Sequence, residues 1–518
     1  MLVAVFIVHG HGQDPGQART SLYPYTLSAV DQGVLSDEGP GVTRLSTLAS
    51  RARPLSAATL DRTGRTGAAY AAGRVIVKFR DGTSSAVRLN SVARVSASST
   101  VSERPSYANF DVLSIDPNED AEAVADAMSQ RPEVEYAQPA YRVHKTFVPN
   151  DQFYQQFQWN LPLIDMERAW DIQGTAGSSI IVAVLDTGIA FESKVVRFKG
   201  LAFTDDAGNV HPGLGMVDIP FAAATDLFAA GRFVAPHDFI WDDNDPLDLD
   251  SHGTHVSGTI GQLTNNGLGT AGVAFNVKLM PVKVIDSDWD DIFGSPNQGT
   301  DDVVARGLRY AADNGAKIIN MSIGRSGPPA PVVEDAIKYA VGKGAFISIA
   351  AGNDFEDGNP VGAIAEIASR VQGAVSVGAV DRAVNHAFYS STGSWVELAA
   401  PGGSSRGFGR DGVIYQQTTD FTFGLCLAEP RSCGVPASFA PPRFDVFGFF
   451  GFQGTSMAAP HVSGLAAMLM QQGITSPAAI EAALEKFAKD LGDPGRDNTF
   501  GFGLIQARDT LRGLGLAK

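Results

Sequence analysis

The chain has 518 residues, 44% of them hydrophobic, enough for a large core and for two to four domains. A net charge of −16 excludes the basic footprint that nucleic-acid binding needs. No stretch reaches the roughly 18 consecutive apolar residues of a transmembrane helix. The acidity is uneven: residues 1–145 are neutral overall, and residues 146–518 carry the whole −16. That shift predicts a boundary near residue 145.

The opening "MLVAVFIVHGHG" is an apolar run without a preceding basic region or a clear cleavage site. It reads as a partial signal segment, so a secreted or periplasmic protein is expected. The rest of 1–72, rich in Gly, Ser, Ala, Thr and Arg, reads as linker. From Gly73 a small α+β domain is predicted over 73–145. "RVIVKF" and "NFDVLSI" read as strands, and "DGTSS" between them as a turn. "NEDAEAVADAMSQ" reads as a helix with acids in its first turn, and "VEYAQPAYRV" as a closing strand.

From Asn150 the pattern changes. The apolar runs "SIIVAVLD", "VKLMPVKVI", "AKIINMSI", "GAFISIAAGN", "AVSVGAV" and "VELAAPG" alternate with helical stretches such as "DDVVARGLRYAADNG" and "PVVEDAIKYAVGKG". Continuous apolar strands alternating with helices predict an α/β fold, a mainly parallel sheet covered on both faces. Such sheets carry their sites at the C-terminal strand ends. Cys426 and Cys433, in "CLAEPRSC", close a short disulfide loop or stay as two thiols; an exported chain favours the disulfide.

Three stretches carry chemistry. "VAVLDTG" ends a buried strand on Asp186, "DSHGTHVSGTIG" holds His252 and His255, and "GTSMAAPHVSG" opens a helix with Ser456. Each has an ordinary reading alone: a turn or cap carboxylate, a histidine pair short of a zinc set, and an N-cap serine. Together they supply what nucleophilic acyl transfer needs, since a histidine takes the serine proton and an aspartate holds the imidazole tautomer. The order Asp, His, Ser is the subtilisin order.

In residues and spacing, these stretches resemble the subtilisin-like serine peptidases over residues 150–511. The resemblance implies the family's three-layer fold, with Asp186, His252 and Ser456 as the triad and His255 and His461 as framework. "SIAAGND" matches the family's oxyanion motif and implies that Asn353 and the Ser456 backbone N–H bind the oxyanion. "NMSIG" resembles the substrate-binding strand, so Ser322 and Gly324 would pair with an extended peptide. Asp354 would lie near the P1 pocket, where an acid favours basic P1 residues.

The 73–145 domain resembles the family's ferredoxin-like inhibitory propeptide, which implies a zymogen that cleaves itself between about Arg142 and Asn150. Calcium is common in the family. "TNNGLGTAGVA" resembles its metal loop, implying Asn266 as a ligand, with Asp151 in "PNDQF" as another. "DDNDPLDLD", Asp242–Asp250, is a cation site or a solvated acidic loop. Polypeptide substrates, the chain's own propeptide and a monomeric state are the expected partnerships. About 65 residues separate Asp186 from His252, so an insertion is expected around 195–245. A second, at 403–450, contains the Phe-rich "FDVFGFFGF", read as packed core or as an apolar lip. Two rivals remain: an aspartic peptidase, which needs a second carboxylate motif absent from the chain, and a non-catalytic peptide binder of the same fold.

Overall fold

The computed structural model describes residues 70–96, 100–101, 104, 108–141, 147–204, 210–420 and 441–513. The signal segment, most of the linker, Cys426, Cys433 and the stretch just after Tyr141 lie outside the described residues. The described chain falls into two compact units, 70–141 and 147–513.

The first unit runs β1 (Tyr70–Phe79), α1 (Ser85–Val95), β2 (Thr100–Val101), β3 (Asp111–Ser114), α2 (Ala121–Ser129) and β4 (Val134–Tyr141). Its four-stranded sheet has the order β2-β3-β1-β4 and is antiparallel throughout, the ferredoxin-like arrangement. Alternation along β1 buries Val75, Val77 and Phe79 with Leu113 of β3 and Val124 and Met128 of α2. Asp120 caps α2 by accepting a hydrogen bond from the Glu122 N–H at 3.0 Å. Helix α1 escaped the sequence reading. It buries only Ser91 and Val92, a stripe too thin to show as a helical period.

In the second unit β5 (Ile181–Asp186) leads into a ribbon, β6 (Lys194–Gly200) and β9 (Gly215–Phe221), enclosing a short hairpin of β7 (Phe203–Thr204) and β8 (Val210–His211). The central strands follow: β10 (His237–Asp238), β11 (Lys278–Lys283), β12 (Ile318–Met321), β13 (Phe346–Ala350), β14 (Ala374–Val380) and β15 (Leu398–Pro401). They form one parallel seven-stranded sheet in the order β10-β11-β5-β12-β13-β14-β15. Alternate residues of β5 serve two cores. Val182 and Val184 pack with α3 (His252–Gly261) and the long helix Thr455–Gln471. Ala183 and Leu185 pack with α4 (Asp301–Asp313) and α5 (Pro331–Gly342) on the opposite face. Both faces are covered, which is why the inner strands read as near-continuous apolar runs.

The two insertions meet. Phe221 of β9 bridges to Phe444, and their rings stack at 5.1 Å. With Phe198, Trp289 and Phe293 they form a satellite core. The Phe-rich strand β17 (Phe447–Phe452) pairs with β16 (Ile414–Thr419) and buries Phe450 and Phe452. This patch is therefore mainly packed core.

The helix Thr455–Gln471, α6, is buried from Thr455 to Met470. A Cβ at Gly464 would come 2.6 Å from Val273 Cβ, so only glycine allows this depth. Pro460 is the sixth residue of the helix and lies beyond its first turn. Without an N–H it leaves the Ser456 carbonyl, four residues back, without its helical donor. The Ser322 hydroxyl fills that place at 2.7 Å.

Candidate active site

Parallel pairing puts Asp186 at the C-terminal end of β5, level with Lys283 of β11. His252 opens α3, which packs against β5. A Cβ on Gly253 would collide with the Gly188 carbonyl and crowd Asp186, so glycine here lets the histidine approach the aspartate. The contact is close: His252 Nδ1 and Asp186 Oδ1 are 2.6 Å apart, with both side chains almost wholly buried. The carboxylate thus faces an imidazole and not a second carboxylate, which removes the aspartic-peptidase reading. His252 Nε2 has no hydrogen-bond partner among the described residues.

Burial acts most strongly on His252 and works against its protonation. The charge of Asp186 and its hydrogen bond, helped by Asp250 and Asp248, outweigh it and hold the imidazole above its ordinary 6.5. His255 and His461 differ: burial pushes them down to about 3 and about 4. His255 Nε2 reaches the Ile414 and Phe450 carbonyls, and His461 pairs with Met457 O and Asn160. These are neutral framework histidines.

One cleft is lined by Asp186, His252, Ser322, Asn353, Asp354 and Ser456, among others. Ser456 is the second residue of α6, and its hydroxyl donates to the Ser322 carbonyl at 3.1 Å. Its backbone N–H lies in the first helical turn, where such groups lack intrahelical acceptors and the helix dipole favours negative charge. Asn353 Oδ1 accepts from the Thr455 N–H at 2.9 Å and its hydroxyl at 3.0 Å. Nδ2 is then the donor end that Thr455 does not engage. Gly324 also lines the cleft, two residues past Ser322. Asp354 is half-buried with its N–H on Ser391 Oγ at 3.1 Å; burial and then Asp357 raise its carboxyl above the usual range.

Two buried carboxylates stand beside the expected site residues in ways the sequence did not show. Asp248 is buried and joins the histidine helix to the aspartate strand. Its Oδ1 accepts from Thr187 Oγ1, the Asp250 N–H and the Ser251 N–H at 2.9–3.1 Å. Its Oδ2 accepts from the Thr254 N–H at 2.9 Å and Thr254 Oγ1 at 2.6 Å. It belongs to "DDNDPLDLD", where Asp245 pairs with Lys194 and Asp250 accepts from the His252 N–H. These carboxylates are engaged by backbone N–H groups, threonine hydroxyls and a lysine. No group of three or more His, Cys, Asp or Glu that could hold a metal occurs among the described residues.

The second is Asp226, which bonds Asn266 and feels the charge of Asp151, the two expected metal ligands. Asn266 Nδ2 donates to Asp226 Oδ1 at 2.6 Å, and Asp151 Oδ2 accepts from the Asn265 N–H at 2.7 Å. Burial pushes Asp151 up to about 7 and Asp226 up to about 8. Asp151 Oδ1 has no hydrogen-bond partner among the described residues. Two buried carboxylates fit a hard cation, while Asn266 turns its NH2 to Asp226 and its oxygen to the Leu268 N–H. No motif surrounds Asp226 in "AAATDLF", so only the fold could find it.

Comparison with known proteins adds the lineage. Residues 177–503 match the subtilase family, and residues 57–140 match the fervidolysin N-terminal prodomain. The thermophilic serine proteinase of Bacillus sp. (strain AK1) is 30% identical over 428 residues, 82% of this chain and 84% of that protein. The extracellular protease of Xanthomonas campestris is 30% identical over 389 residues, 72% of this chain and 58% of that protein. Among solved structures, a protease from Pseudoalteromonas arctica superposes with a TM-score of 0.51 at 27% identity, over 71% of this chain and 99% of that one. Among the described residues no helix is long and apolar enough to cross a membrane.

Proposed function

Because the chain belongs to the subtilase family, as a subtilisin-like serine protease with an N-terminal prodomain, we propose that it cleaves polypeptides with Asp186, His252 and Ser456 as its triad and processes itself. The observation that carries this is the buried 2.6 Å contact between His252 Nδ1 and Asp186 Oδ1, on the cleft that Ser456 also lines. The Ser456 hydrogen swings from the Ser322 carbonyl to His252 Nε2, and Oγ attacks the peptide carbonyl carbon. His252 takes the proton, and Asp186 stabilises the imidazolium and fixes its tautomer. The Asn353 Nδ2 and the Ser456 N–H receive the oxyanion. His252 then protonates the leaving amine, which departs as the C–N bond breaks. Water, deprotonated by the same imidazole, attacks the acyl carbon; the bond to Ser456 Oγ breaks and Oγ takes the proton back from His252.

Ser322 and Gly324 would hold the peptide in extended form, and Asp354 would favour a basic P1 side chain. Calcium would be held by Asp151, Asp226 and Asn266 with neighbouring backbone carbonyls, and would neutralise the two buried carboxylates. The extracellular relative supports secretion.

The test is intact mass after a fluorophosphonate probe, with Ser456→Ala alongside. A shortened, singly labelled wild type beside a full-length, unlabelled variant is expected. A wild type that stays unlabelled after limited digestion of the prodomain refutes the reading.

A further inference from the structure

Strand β12 pairs with β13 as far as Met321 and with β5 as far as Asn320. Beyond it, Ser322, Ile323, Gly324 and Arg325 line the cleft. A segment that offers its backbone to a peptide must stay extended on the open side without a sheet partner, so it has to be fixed at both ends. The near end is fixed by Ser322, whose hydroxyl and carbonyl both bond Ser456.

The far end is fixed by Arg325. Its Nε donates to Asp301 Oδ1 at 2.8 Å and its Nη2 to Asp301 Oδ2 at 2.5 Å, a two-pronged pair. Its Nη1 donates to the Pro328 carbonyl at 2.7 Å and, more weakly, to Ser326 O at 3.4 Å. The Arg325 carbonyl accepts from the Ala363 N–H at 2.7 Å. Ser326 then bridges to Gly362, which also lines the cleft. Asp301 opens α4, where the helix dipole favours its charge. The Arg325 side chain is 13% exposed and that of Asp301 30%. The guanidinium is therefore spent on the scaffold. A lysine, a single point charge, could not match the fork.

We infer that Arg325 is a positioning residue: its side chain, through Asp301 and Pro328, holds the Ser322–Gly324 edge extended, so that it governs binding of long peptides and not the chemistry at Ser456. The inference rests on the protease reading of the same cleft. A substrate that spans several residues on the acyl side needs this edge; a single-residue ester does not.

The full chain, after self-processing, is assayed on an N-acylated tetrapeptide anilide and on an N-acetyl single-residue ester. Arg325→Ala is expected to raise the tetrapeptide KM about tenfold, with kcat for the tetrapeptide and kcat/KM for the ester within about twofold. Arg325→Lys should lie nearer Arg325→Ala than wild type, and Asp301→Asn should shift the same KM. An unchanged tetrapeptide KM in Arg325→Ala, or equal losses on both substrates, overturns the inference alone. A wild type that turns over neither substrate overturns the protease reading and this inference with it.

Discussion

Replacing Asp248 by Asn tests how the catalytic elements are held. Asp248 accepts hydrogen bonds on both oxygens, and its partners lie on three segments: Thr187 beside Asp186, the turn at Asp250 and Ser251, and Thr254 on the helix that His252 opens. An asparagine can keep Oδ1 where it is and preserve the bonds from Thr187, Asp250 and Ser251. Its Nδ2 then replaces Oδ2 and can donate to Thr254 Oγ1, which already accepts from the Ala190 N–H. The Thr254 N–H is left buried and facing another donor. One orphaned buried N–H costs about 1–3 kcal/mol, so thermal unfolding should record a loss of that size. The same loss loosens the first turn of the His252 helix, where misplacement by about 1 Å can cost about 100-fold. A fall in kcat/KM of about 10- to 100-fold, mostly in kcat, is expected from progress curves on a peptide anilide. Unfolding and kcat/KM both within error of wild type would refute the reasoning, because the carboxylate would then be dispensable to the geometry it is said to fix.

Asp186→Asn should leave the fold intact and lower kcat by about 10⁴, the size known for the equivalent change in a serine-protease triad, measured by burst-free steady-state kinetics. Asn353→Ala should lower kcat by about 10²–10³ with little change in KM; that range comes from a related subtilisin. The base must be neutral to act, and Asp186 holds His252 above its ordinary value. The acid limb of kcat/KM should therefore fall above pH 6.5, with activity lost as pH drops through it. Chelation with EDTA should lower Tm, and added Ca2+ should restore it; in Asp226→Asn, where one buried carboxylate is gone, Tm should respond much less to either.

The motifs were legible because they are local. A carboxylate at the end of an apolar run, a histidine followed by glycine and a serine heading a small-residue helix each keep their chemistry within about ten residues. The parallel sheet was legible for the same reason, since strands buried on both faces write themselves as apolar runs. Helix α1 was not, because a half-exposed helix that buries two residues leaves almost no period.

What the chain order could not reveal is who pairs with whom across the fold. The 61 positions between Thr187 and Asp248, or the 75 between Asp226 and Asp151, carry no pattern that links them. The role of Pro460 is of the same kind: the residue is visible, but the hydroxyl that satisfies the carbonyl it exposes comes from Ser322, 134 positions away. By itself the sequence singled out the residues proposed as acid, base and nucleophile, because that chemistry resides in the side chains. Only the tertiary structure decided which buried carboxylates and which arginine are bonded around them, because a hydrogen-bond partner is chosen by the path of the chain and by the need to satisfy every buried polar group.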